Sequence, residues 1–227
     1  MPDASLLVID NAIDHTFYRP VEHWTAMVGF QPDSVHLPSG GRLPDVDRYS
    51  HVIMSGCEGS VSDLAAWAED EASWLRQAVA AGTAVLGSCW GHQLIAFVMA
   101  GPQAVRPAAK PECGWIEIPV ADSGGLLPPE SFQTFALHFD EVVPDCHPDL
   151  RVLAATQDCA VQAARWGERR LWGLQAHPEI APECGKEFLA QCIERWPQSA
   201  AVFRSGLATP VLDSGHGRTI ARRFLEA

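Results

Sequence analysis

Residues Gly87-Ser88-Cys89-Trp90-Gly91-His92-Gln93 set a cysteine in a context that can make it a nucleophile. They lie between the apolar runs Thr83-Ala84-Val85-Leu86 and Leu94-Ile95-Ala96-Phe97-Val98, so a short buried strand meets a helix at a turn centred on Cys89. Gly87 and Gly91 permit a sharp bend, as in the G-x-S-x-G nucleophile elbow, here with a thiol in place of the hydroxyl. The helix that follows aims its free N–H groups and positive dipole end at the sulfur, and both favour thiolate over thiol. Such a turn predicts a strained Cys89 at positive φ.

A second group stands 88 residues on, where the strand-like Leu171-Trp172-Gly173-Leu174-Gln175 runs into Ala176-His177-Pro178-Glu179. Pro178 biases His177 towards extended backbone. In an extended segment residues two apart project to the same side, so Glu179 can hold the His177 ring. A thiol, an imidazole and an orienting carboxylate are the parts of acyl transfer through a thioester. The acid follows the histidine by two residues, an order that separates this chain from the α/β-hydrolases, which run nucleophile, acid, histidine.

These segments resemble the class I, triad-type glutamine amidotransferases, and among them the stand-alone, GMP-synthase-like members. Trp172-Gly173-Leu174-Gln175-Ala176-His177-Pro178-Glu179 is similar to the family's W-G-x-Q-x-H-P-E, and His138-Phe139-Asp140-Glu141-Val142 to its H-x-D-E-V. Ser55-Gly56-Cys57-Glu58-Gly59-Ser60-Val61 stands where the family has the oxyanion loop S-G-G-P-x-S-V, with Cys57-Glu58 replacing Gly-Pro. The resemblance covers roughly residues 5–195. It implies a Cys89 γ-glutamyl thioester, His177 as acid and then base, and Glu179 fixing the His177 tautomer. The backbone N–H of Trp90 and that of Gly56 or Cys57 would face the oxyanion. Gln93, His138 and Asp140 would lie near the substrate, although a supporting role is open for each. The implied substrate is glutamine, with ammonia passed to an acceptor. A γ-glutamyl peptidase acting on larger γ-glutamyl amides, and a non-catalytic regulatory subunit, are the alternatives. This chemistry calls for no cofactor and no metal.

Composition bounds the remaining classes. A length of 227 residues fits one α/β domain, with a core at about 5–195 and a helical extension at about 196–227. A formal charge of −12 disfavours nucleic acid and anionic membranes as partners. No run is long enough for a membrane span, and Met1-Pro2-Asp3-Ala4 lacks a signal-peptide core, so the cytoplasm is the expected compartment. The seven cysteines form no C-x-x-C pair and suggest neither zinc nor disulfides. Cys57 and His92 read as inert and structural. Neither a phosphate loop nor the pyrophosphatase S-G-G-x-D-S follows from Ser123-Gly124-Gly125, which reads as a turn. Any ATP-dependent synthetase would therefore be a separate polypeptide.

The elements that must position these residues follow the rhythm of an open, mostly parallel, flavodoxin-like sheet with flanking helices. Strands are expected at Ser5–Asp10, Ser34–Leu37, His51–Met54, Thr83–Leu86 and Leu171–Gln175. Helices are expected at Phe17–Val28, over the face Leu64 to Val79 closed by Gly82, and from the elbow to Ala100. Residues 38–47 read as a loop. After Gly101 short antiparallel pieces are expected at 114–120, 132–137, 151–155 and 160–166, then helices at 182–196 and 217–225. A docked synthetase would cover the Cys89 turn and the 38–47 loop, with Trp90 partly exposed at the mouth.

Overall fold

The computed structural model describes residues 5–227, so the opening Met1–Ala4 segment lies outside the described residues. The order is β1 (Leu6–Asp10), α1 (Pro20–Val28), β2 (Asp33–His36), β3 (His51–Met54), α2 (Ala66–Ala81), β4 (Ala84–Ser88) and α3 (Trp90–Ala100). There follow β5 (Val105–Ile118), β6 (Phe132–Val142), β7 (Leu150–Ala154), β8 (Ala163–Trp166) and β9 (Leu171–Leu174). The chain ends with α4 (Pro182–Arg195), α5 (Ala200–Ala208) and α6 (Gly217–Glu226).

Seven strands form one sheet in the order β2-β1-β3-β4-β9-β8-β7. The first five run parallel, and β8 and β7 add antiparallel at the edge. Every residue of β1, β3, β4 and β9 is buried, as expected of strands covered on both faces. Alternate residues serve the two layers. Leu7, Ile9, Val52, Met54 and Val85 pack with Leu75 and Ala78 of α2 and Leu94 and Ile95 of α3. Leu6, Val8, Ile53 and Leu86 pack with Trp24 of α1 and Ile220, Ala221 and Phe224 of α6. Because β1, β3, β4 and β9 are parallel, the residues that follow them (Asn11, Ser55, Cys89 and Gln175) emerge along one edge. Open α/β sheets bind ligands at that edge.

Three expectations need correcting. Helix α1 starts at Pro20 rather than Phe17, because Pro suits the first helical position and residues 14–18 close turns onto Asp14 instead. The pieces at 114–120 and 132–137 belong to a longer antiparallel ribbon, β5–β6, whose register shifts between Pro107 and Glu112, where Pro111 cannot donate to the ladder. Helix α5 has no counterpart among the individually expected helices; its nine residues bury only Ala200, Phe203 and Gly206, too short a stripe of mostly small residues to show the helical period. Among the described residues no helix is long and apolar enough to cross a membrane.

Candidate active site

Cys89 has φ 48° and ψ −103°, and with Asp145 it is one of two non-glycine residues at positive φ among those described. The bend is enforced from both sides. A Cβ on Gly87 would stand 2.4 Å from the carbonyl carbon of Gly91, and one on Gly91 would stand 2.4 Å from the Met54 carbonyl oxygen. The Cys89 N–H donates to the Leu174 carbonyl at 2.7 Å, tying the turn to β9. Its sulfur lies 3.6 Å from both the Leu137 carbonyl and Gln175 Nε2.

His177 is carried from β9 onto the β6 ribbon, where its N–H donates to the Phe135 carbonyl at 2.8 Å. Its Nδ1–H donates to Glu179 Oε1 at 2.8 Å, which leaves Nε2 for the sulfur. Gly56 fits against both partners, since a Cβ there would lie 2.8 Å from His177 Cε1 and 3.6 Å from Cys89 Cβ. Burial opposes a charged imidazole, but the Glu179 carboxylate and the Cys89 sulfur outweigh it and hold the His177 pKa above its ordinary value.

Glu179 is fully buried and well supplied with donors. Besides His177 it accepts from the Tyr18 hydroxyl at 2.5 Å and from Ser88 Oγ at 3.1 and 3.2 Å. Burial works against its charge, but His177 and Tyr18 overcome this and keep the carboxyl below the usual range. Neither Tyr18 nor Ser88 is legible as a site residue in the sequence. The position of Ser88 as the strand neighbour of Cys89 is a usable signal, but Tyr18 arrives through a turn that carries no period.

The Cys57-Glu58 replacement has a structural use. The Glu58 carboxylate accepts the N–H of Ile13 at 2.7 Å and that of Asp14 at 3.3 Å, pinning the segment after β1 to the loop after β3. Cys57 Sγ accepts the Gly59 N–H at 3.2 Å, and burial pushes its thiol up to about 12, in keeping with an inert residue. Gln93 Nε2 donates to the Asp140 carbonyl at 3.0 Å and to Gln175 Oε1 at 3.2 Å, forming a brace behind the sulfur. His138 uses both ring nitrogens, one with the Asp140 carbonyl at 3.0 Å and one with Glu112 at 2.9 Å. The Asp140 carboxylate accepts from Ser60 Oγ at 2.6 Å. His92 is buried against the bare Cα of Gly173, donates to the Val161 carbonyl at 3.2 Å, and is kept neutral by burial with a pKa of about 4.

A cavity of about 330 Å³ opens over Cys89 and His177. Cys57, Ser60, Gln93, His138 and Asp140 line it, whereas Gly56 and Trp90 do not. Trp90 is 2% exposed and lies 5.4 Å from the Trp67 ring, so the expectation that it shows at the mouth is wrong. As the first residue of α3 it keeps a free N–H, but its side chain turns back into the core. None of residues 38–47 lines the cavity.

Residues 7–196 match the family described as glutamine amidotransferase class-I. The chain belongs to that family. Among curated amidotransferase relatives, the GMP synthase [glutamine-hydrolyzing] of Aeropyrum pernix is 36% identical over 154 residues, 66% of this chain and 28% of that protein. A glutamine-hydrolyzing GMP synthase subunit of Saccharolobus solfataricus is 32% identical over 163 residues, 69% of this chain and 84% of that one. The chain thus spans well under half of the first relative and most of the second. A crystal structure of a glutamine amidotransferase from Thermotoga maritima shares the fold, with a TM-score of 0.75 at 18% identity over 97% of this chain and 95% of that chain.

Proposed function

We propose that this amidotransferase hydrolyses the side-chain amide of glutamine and supplies the ammonia to an acceptor on a separate ATP-dependent synthetase. The observation that carries the reading is Cys89, held at a strained turn facing an imidazole that is itself fixed by Glu179 at 2.8 Å. The relatives named as glutamine-hydrolyzing GMP synthases support the substrate, and the one named as a subunit of such an enzyme supports the separate partner.

The Cys89 thiolate attacks the amide carbon, and the oxyanion is met by the N–H of Trp90 and that of Gly56 or Cys57. His177 protonates the departing ammonia, then takes a proton from the water that resolves the γ-glutamyl thioester. Glu179, anchored by Tyr18 and Ser88, keeps the Nε2 of His177 turned to the sulfur. Gln93, His138 and Asp140 frame the glutamate end of the cavity, with the first two acting mainly as braces. The reaction takes place in the cytoplasm, where glutamine and the ATP that the synthetase consumes are both at hand.

The purified chain should release ammonia from glutamine, and a Cys89→Ala variant should not. Equal activity in that variant would sink the assignment. Addition of the synthetase with its acceptor and ATP should raise glutamine turnover, and an unchanged rate would count against coupling.

A further inference from the structure

Part of the cavity lining is aromatic. Tyr18, Phe188, Trp196 and Phe203 contribute to it, together with Phe139, which remains 40% exposed beside the mouth. The rings form a connected set. Phe139 meets Phe203 edge-on at 6.0 Å, Phe203 lies 6.3 Å from Trp196, and Trp196 lies 5.3 Å from Phe17. Gln198, Ser199 and Phe203 come from beyond residue 196, where the family match ends.

This outer wall is held in place by close backbone contact. A Cβ on Gly206 would lie 2.4 Å from Cys113 Sγ, and one on Gly114 would lie 2.7 Å from the Gly206 carbonyl oxygen. The two glycines thus seat α5 directly on β5. The Trp115 N–H donates to Thr209 Oγ1 at 3.2 Å, and that hydroxyl donates to the Gly206 carbonyl at 2.6 Å. Phe203 lies one turn before Gly206, so the contact fixes its ring over the cavity.

Ammonia is small and polar and gains nothing from an aromatic wall. A cavity of about 330 Å³ also falls in the range that encloses ligands larger than an amino acid, roughly 300–1,000 Å³. Tyr18, Phe188 and Phe203 are buried, but exposed Phe139 and half-buried Trp196 leave aromatic surface beside polar lining residues, which favours a ligand with one polar and one apolar end. Among the described residues no lysine or arginine lines the cavity, which disfavours an anionic leaving group.

We infer that the segment 196–203 and Phe139 form a leaving-group subsite for γ-glutamyl amides of apolar, aromatic amines. The inference rests on the thioester chemistry proposed for Cys89. The Cys89 thiolate adds to the γ-carbonyl carbon, and the C–N bond breaks. The aromatic amine leaves with a proton from His177, and water then cleaves the thioester to glutamate and restores the thiol pair. Net, one amide and one water give glutamate and one amine.

The probe is γ-glutamyl-p-nitroanilide, compared with glutamine. Binding is measured first by calorimetry on the Cys89→Ala protein, which needs no turnover. The anilide should bind on the order of tenfold more tightly than glutamine, as expected of one apolar group in a matching pocket. Equal or weaker anilide binding overturns the subsite whatever the activity proves to be. In the intact enzyme, Phe139→Ala and Phe203→Leu should lower the ratio of kcat/KM for anilide over glutamine by about tenfold each. Phe139 is exposed, so its truncation leaves folding out of the comparison. An unchanged ratio in both variants overturns the proposal. Tight anilide binding without Cys89-dependent turnover of either compound would instead refute the thioester chemistry and leave the subsite standing.

Discussion

At the scale of single residues, the site depends on keeping a buried carboxylate charged. Glu179 has no solvent to help it, so its ionised form rests on His177, Tyr18 and Ser88. Its folded pKa is lowered, so its contribution to stability is complete above the unfolded value near 4.5 and is lost as pH falls through the folded value. Tyr18→Phe removes one donor and should raise the Glu179 pKa. The acid limbs of stability and of kcat should then both move to higher pH, with a loss of kcat of about tenfold at neutral pH. Glu179→Gln should do more, roughly 100- to 10,000-fold in kcat, because the His177 pKa falls back without its carboxylate. His177 works with the opposite sign: its pKa is raised, so its contribution is present below about 6.5 and is lost as pH rises through the folded value. A pH–rate profile of Tyr18→Phe that overlays the parent would refute the anchoring role. Much of this site is legible in the sequence. Cys89 between Gly87 and Gly91, and His177 with Glu179 across a proline, announce their geometry through local backbone chemistry. Tyr18 and the Glu58 clasp on Ile13 and Asp14 are tertiary contacts between loops, and loop residues carry no period to betray where they fold back.

Elements are legible in proportion to how regularly they are buried. The strands β1, β3, β4 and β9 read as continuous apolar runs because both faces are covered, and α2 shows its buried face through Leu75 and Ala78. The β5–β6 ribbon is harder, since Pro107, Pro111 and Gly114 interrupt it and the register shift hides the alternation. Helix α5 escapes for a related reason. It is anchored less by a stripe of large side chains than by the close approach of Gly206 to Cys113 and Gly114, a contact made by the absence of side chains. That makes Gly206 testable. Gly206→Val should force α5 away from β5, because the nearest atoms include the Cys113 backbone at 3.1 Å and cannot yield. We expect a loss of about 1–3 kcal/mol in urea unfolding. The KM for γ-glutamyl-p-nitroanilide should rise, and that for glutamine much less, as Phe203, Gln198 and Ser199 leave the cavity wall. A variant with reduced stability but an unchanged KM for the anilide would show that α5 does not shape the site.

At the scale of the whole molecule, the C-terminal helix packs directly on the sheet. Helix α6 covers the face formed by Leu6, Val8, Ile53 and Leu86. At its start Gly217 comes so close to the loop of His177 and Glu179 that a Cβ would stand 2.2 Å from the Pro178 carbonyl oxygen. Phe224 is fully buried, with its ring edge-on to His51 at 5.2 Å and to Trp172 at 6.2 Å, and Trp172 lies on β9, the strand that leads to His177. The sequence locates this helix within a helical extension, at about 196–227, of a single domain. Its packing predicts that the chain unfolds in one cooperative transition. Phe224→Ala should cost about 3–5 kcal/mol, the usual penalty for emptying a buried aromatic site, and should lower the midpoint of that single transition. Near-UV circular dichroism of the core tryptophans and loss of glutaminase activity should follow the same curve. If α6 were an independent appendage, the variant would show an early transition in helical signal alone, with Trp172 and the activity surviving to the parent midpoint.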